Sequence, residues 1–173
     1  MSESFWSISS PLGLISVTGG APEVVLAAAA FQPSLPPGMS VVACHAVIVR
    51  LSQLRLGCAV SVDVRLEESS RVTGGAETGE GLEALVWRGL GHVLAVGTED
   101  DELFCLRTGA PAPALRFQYH SHELTITCQQ PEHCQEIVLH LVLAWNPEPE
   151  QSPESCWYAV DQKHESIASR VAA

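Results

Sequence analysis

The chain has 173 residues, 46% of them hydrophobic and only 17% charged, with 20 Asp and Glu against 9 Lys and Arg for a net charge of −11. This composition excludes a disordered chain, and a single domain of this length buries roughly two-thirds of the surface its unfolded form exposes, which needs neither disulfides nor a structural metal. With no clustered cations to meet phosphates, direct nucleic-acid binding is excluded too; an acidic surface serves solubility, or encounter with a basic protein partner.

No targeting segment is expected. The opening MSESFWSISS carries Glu3 where a secretory signal carries Lys or Arg, and the apolar run VVLAAAAF at 24–31 is far shorter than the ~20 residues of a membrane span. The six cysteines are unevenly spaced and form no C-x-x-C pair, which does not read as a disulfide framework. Cys44, Cys58, Cys105 and Cys128 lie within apolar runs, where a free thiol behaves as a small hydrophobe. A reducing, cytoplasmic compartment follows as the expectation.

Phe5 and Trp6 precede any clear strand, and a proline-rich break follows at 33–37. MSVVACHAVIVRLSQLRL (39–56) is apolar and β-branched with no helical stripe. It predicts a strand that meets CAVSVDVRL (58–66) through a turn near Ser52–Leu54. In the latter, Cys58, Val60, Val62, Val64 and Leu66 alternate with Ala59, Ser61, Asp63 and Arg65, a strand with one wet side. EESSRVTGGAETGEG (67–81) holds four glycines and predicts a mobile surface loop. HVLAVGTEDDELFCLR (92–107) predicts a hairpin with an acidic turn at Thr98–Asp101. After the break GAPAP (109–113) come two arms, LRFQY (115–119) and ELTITCQ (123–129), then EIVLHLVLAW (136–145), apolar on both parities as a central strand is. The connector NPEPEQSPES (146–155) leads to a short strand CWYAV (156–160), and the tail 162–173 predicts the only helix, with Asp161 as its N-cap. The expected fold is all-β: one domain over 1–173, an antiparallel sandwich of about eight strands, immunoglobulin-like or related, with its core at about 39–161 and a short terminal helix.

The stretch FQYHSHELTITCQQPEHC (117–134) concentrates three histidines and two cysteines. Side-chain parity separates them. Leu115, Phe117 and Tyr119 share one face of the first arm, whereas Leu124, Ile126 and Cys128 share one face of the second. The switch from odd to even requires a turn between them, which puts His120 and His122 at an exposed hairpin tip. A metal site needs three or four donors at about 2.0–2.3 Å, but Cys128 lies roughly 20 Å along the strand from His122, and His133 and Cys134 belong to the far end. His140, within an apolar strand, is expected to be a hydrogen-bonded neutral imidazole. TGGAETGEG lacks the Gly-Lys-Ser/Thr ending of a phosphate loop, and no G-x-S-x-G elbow occurs. Cys44–His45 and His133–Cys134 are sequence neighbours whose side chains face opposite ways on a strand, so neither makes a thiol nucleophile. Glu99–Glu102 lack the spacing of a calcium loop. ELTITC with Trp145 seventeen residues on is immunoglobulin-like in strand composition only, since no second cysteine follows at that family's disulfide distance.

The succession HAVIVRLSQLRLGCAVSVDVRL, HVLAVGTEDDELFCL, HELTITCQQPEHCQEIVLHLVLAWNPEPE and CWYAVD resembles small uncharacterised β-sandwich proteins of actinomycete-type bacteria. These also end with a Trp-bearing strand, a proline-rich link, a short strand and a helix. The likeness covers about 40–173 and departs in lacking a glycine-rich run directly before the HEL-like strand. It implies the sandwich and no activity.

The first functional expectation is a non-enzymatic module that binds another protein, a basic one, without cofactor. An acidic inhibitor or immunity-type protein is its most specific form. Its interface candidates are Trp6, Trp157 and Tyr158, aromatics near the chain ends, with the acidic run Glu99, Asp100 and Asp101. The second is a metal-binding protein or hydrolase at His120 and His122, completed by His45 or Glu123. The third is an assembly subunit whose apolar edge strands pair between copies, so the oligomeric state stays open.

Overall fold

The computed structural model describes residues 4–52, 59–67, 71–129, 136–148 and 153–171. Numbered in chain order, the strands form two sheets in which every pairing is antiparallel. The five-stranded sheet runs β1 (Phe5–Ser10), β2 (Gly13–Gly19), β5 (Ala59–Glu67), β10 (Glu123–Gln129), β9 (Leu115–His120). The six-stranded sheet runs β3 (Val24–Ala30), β4 (Ala43–Ser52), β11 (Glu136–Pro147), β8 (His92–Glu99), β7 (Leu82–Gly89), β6 (Thr73–Gly79). Among the described residues three short helices accompany them: α1 (Asp101–Thr108), α2 (Pro153–Val160) and α3 (His164–Val171). The antiparallel sandwich read from the sequence is present. It has eleven strands among the described residues rather than about eight, five facing six where a constant-type immunoglobulin domain has four facing three.

Alternation explains the inner core. Val60, Val62, Val64 and Leu66 of β5 meet Val47, Val49 and Leu51 of β4 and Leu139, Leu141 and Leu143 of β11, all buried. Each such side chain contributes about 1.5–3 kcal/mol on leaving water. The six-stranded sheet is covered on its outer face as well. Ala46 and Ile48 of β4, Val93 and Ala95 of β8, and Val142 and Ala144 of β11 pack under Phe31, Cys156, Ala159, Val160 and Ile167. That double cover is why β11 reads as apolar on both parities. At Gly97 the helix layer lies so close that a Cβ would stand 2.8 Å from Val160 Cγ2. Only glycine permits that approach.

Several sequence expectations are corrected. The segment 39–56 and the strand from 58 do not form a hairpin: β4 pairs with β3 and β11, and β5 pairs with β2 and β10, in opposite sheets. β4 is apolar on both parities and β5 on one, and each turns a face to the same core, so the patterns alone could not tell partners from facing strands; residues 53–58, with Cys58 and the expected turn beyond Ser52, lie outside the described residues. The glycine-rich loop is in part β6, an exposed edge strand paired to β7. Its glycines admit the β9–β10 turn, whose Ser121 carbonyl accepts from Trp87 Nε1 at 3.0 Å where a Cβ on Gly74 would stand 2.1 Å from the same oxygen. Phe5 and Trp6 lie within β1, and β1–β3 bring Ile15, Val17 and Val24 to the core, which therefore begins well before residue 39.

The supposed hairpin at 92–107 is a strand followed by a helix. Asp100 accepts from Leu103 N at 2.8 Å as N-cap, Asp101 and Glu102 occupy the first turn, Arg107 the last, and Gly109 closes the helix in the left-handed conformation. CWYAV is likewise helical: Ser155, Cys156, Ala159 and Val160 are buried at spacings of one and four, a helical stripe. The terminal helix is present from His164, three residues beyond Asp161, which is not its cap.

Candidate functional site

Along the outer face of the six-stranded sheet the apolar stripe gives way to polar groups at one end. On β8 it runs Val93, Ala95, Gly97, then Glu99; on β11 it runs Ala144, Val142, then His140. Val142 pairs with Gly97, and continuing that register by two residues sets His140 beside Glu99. Helix α1 follows β8 at once, so Arg107 returns over Glu99. It donates from Nε to Oε2 at 3.1 Å and from a terminal nitrogen to Oε1, and the same terminal nitrogen donates to the Val138 carbonyl at 2.9 Å. From the other side, the first residue of α3 completes the group. His164 Nδ1 lies 3.0 Å from His140 Nδ1, and Glu99 Oε1 lies 3.9 Å from the same His140 atom.

His140 is only 1% exposed, and burial first, then His164 and Arg107, pushes its imidazole down from the ordinary 6.5 to about 3. His164 is pushed down by burial and Arg107, against an upward pull from Glu99 and Glu165. Two neutral rings at this separation share one N–H···N bond, which requires opposite tautomers at the two Nδ1 atoms.

These four side chains reach the floor of a cleft of about 610 Å³, within the range of small-ligand sites. One wall is α1 with the β6–β7 turn, where Leu103 packs over Gly81. The other is the link between α2 and α3, Asp161–Lys163. Leu103 and Leu106 on the rim are 43% and 80% exposed. Asp161 and Glu80 both line the cleft. The Asp161 carboxyl is raised above the ordinary 3.8 by burial and then by the Glu80 charge. Neither carboxylate makes an ion pair among the described residues.

The residues singled out from the sequence are distributed differently. His120 ends β9, exposed, and His122 stands half-buried in the two-residue turn before β10, its Nδ1 buried without a hydrogen-bond partner among the described residues. Among the described residues the cluster that gathers three metal-type donors is Glu99, His140 and His164, not the hairpin histidines. His45 is instead stacked on Trp145 at 5.5 Å, with Trp6 at 6.4 Å, and Glu123 pairs with Arg65 at 3.0 Å. His133 and Cys134 lie outside the described residues.

Of the interface candidates, Trp6 and Trp157 are half-buried and Tyr158 is exposed against Trp157. Glu99 is turned inward. Asp100 caps α1, and Asp101 accepts from Ala114 N at 2.7 Å and Leu115 N at 2.6 Å. Arg107, His164, Glu80 and Asp161 were missed. A capped helix after Asp100 was detectable and would have aimed Arg107 back at Glu99, whereas nothing local marks His164. No family model, no curated protein and no solved structure matches the chain, so the functional reading rests on this geometry.

Proposed function

We propose that the protein is a non-catalytic binding module that engages a basic partner protein at the mouth of this cleft, in the manner of an acidic inhibitor. The observation that carries the reading is that Glu80 and Asp161 line the cleft beside the exposed Leu103 and Leu106, and neither carboxylate is within ion-pair distance of a cation among the described residues, Lys163 of the same lining included. A Lys or Arg side chain of the partner that enters between the carboxylates is attracted by both charges, while the leucines supply apolar contact at the rim. The net charge of −11 adds long-range attraction. Among the described residues no helix is long and apolar enough to cross a membrane. The free thiols of Cys44, Cys105 and Cys156 fit a reducing, cytoplasmic setting.

Affinity capture from the native organism tests this, with wild type and the Glu80→Gln/Asp161→Asn double variant side by side. A basic protein retained by wild type, released by about 0.5 M salt and lost from the variant is the expected result. Equal capture by both proteins overturns the reading.

A further inference from the structure

We propose that Glu99, His140 and His164 form a binding site for a divalent first-row transition ion of the zinc type at the floor of the cleft. The proposal is independent of what docks at the mouth. Donors about 2.0–2.1 Å from a tetrahedral ion stand roughly 3.3 Å apart. The observed separations, 3.0 Å between the two Nδ1 atoms and 3.9 Å from His140 Nδ1 to Glu99 Oε1, bracket that value, and all three donors lie within 4.8 Å of one another. Two imidazoles and one carboxylate select a borderline ion; magnesium and calcium prefer all-oxygen shells.

Three different elements supply the donors: β8, β11 and the start of α3. Two of them sit on neighbouring strands of a sheet packed on both faces, so their spacing is set before an ion arrives, as affinity requires.

Arg107 is the group that argues against an ion, since its guanidinium brings a positive charge to the same carboxylate. A carboxylate offers about four lone-pair directions, so Glu99 can hold Arg107 on one direction of each oxygen while the remaining direction of Oε1 meets the ion. In that role Arg107 is a positioning residue that orients the ligand and moderates the site's affinity. Three protein donors leave a fourth position, which opens onto the cleft. A water or one donor atom of a small ligand completes the shell there, as at exchangeable zinc sites.

The test uses the full chain freed of metal with a chelator, then titrated with Zn(II) by calorimetry and with Co(II) by visible absorption. One ion per chain is expected, with the intense Co(II) bands of four-coordination. His164→Ala, which alters a half-buried residue at the helix start, is expected to lower Zn(II) affinity by at least about 100-fold, as loss of a direct ligand does, while circular dichroism stays that of wild type. Should His164→Ala fail to fold, His164→Gln carries the same expectation. The His120→Ala/His122→Ala variant is expected to bind as wild type. Absence of stoichiometric Zn(II), binding that survives loss of His164, or binding that disappears with His120 and His122 overturns the proposal.

Discussion

Replacing Arg107 by Met tests the electrostatics of the cleft floor directly. The Glu99 side chain is 8% exposed and that of Arg107 21%. Both carboxylate oxygens of Glu99 accept from the guanidinium, which also serves the Val138 carbonyl. Arg107→Met leaves the carboxylate in place, out of water, with neutral imidazoles as its nearest company. Breaking a buried pair from one side costs roughly 3–5 kcal/mol, whereas an exposed pair such as Arg50–Glu136, 41% and 47% exposed, is worth about 0–1 kcal/mol. The double variant Glu99→Leu/Arg107→Met removes both charges and fills the space with apolar groups. It is expected to lie within about 1–2 kcal/mol of wild type, far from the sum of the single changes. Urea unfolding in the presence of chelator, read as midpoint shifts at constant slope, measures all four corners of the cycle. An Arg107→Met penalty below about 1 kcal/mol, or additive single effects, would refute the reasoning that this pair is a closed, desolvated unit.

Four other outcomes follow from particular contacts. Asp101→Ala removes the acceptor of two backbone N–H groups and should cost roughly 2–4 kcal/mol in the same unfolding assay. Gly97→Ala drives a Cβ against Val160 and should cost about 1–3 kcal/mol, with faster amide exchange in α2 as the sign that the helix has lifted. Asp161→Asn should stabilise the protein at neutral pH. The native carboxyl holds its proton more tightly than the unfolded one, so wild-type stability falls as pH rises from 3.8 through the raised native value, and the variant's advantage should vanish in acid. Trp87→Phe deletes the Nε1 bond to the Ser121 carbonyl and should cost about 1 kcal/mol or slightly more, with increased exchange at the β9–β10 turn.

Strands whose register encodes their environment were legible in the sequence. The alternation of 59–66, the odd-to-even switch between Tyr119 and His122, and the double-sided apolar run from Ile137 each correspond to a strand with the expected faces. Which strand lies beside which was not legible, because β4 and β5 each turn an apolar face to the same core whether they pair or face each other across it. Short helices were lost for a different reason. In α1, Leu103, Phe104, Cys105 and Leu106 form an apolar run that reads as a strand arm, although Asp100 and Gly109 bracket it with start and stop signals. Strong caps outrank four apolar residues in a segment too short to show a helical period.

The site escaped the sequence because its members are polar exceptions on otherwise apolar elements. His140 has the appearance of a core histidine and Glu99 of a turn residue. They meet only because Val142 pairs with Gly97, a fact of register rather than of spacing. A buried polar group costs stability unless paired, and an apolar end to this face would fold at least as well. Two imidazoles, a carboxylate and a guanidinium gathered at one edge of the helix layer therefore admit two explanations. One is a polar plug that fixes where α3 docks, since buried polar contacts specify geometry even when they add little stability. The other is a ligand site. They part at His164: a plug needs only the hydrogen bond to His140, whereas a metal site also needs Glu99 within reach of both rings and a cleft above them. The 3.9 Å approach of Glu99 and the cleft over the floor are features that a plug does not call for, and they are the reason the ligand reading is preferred.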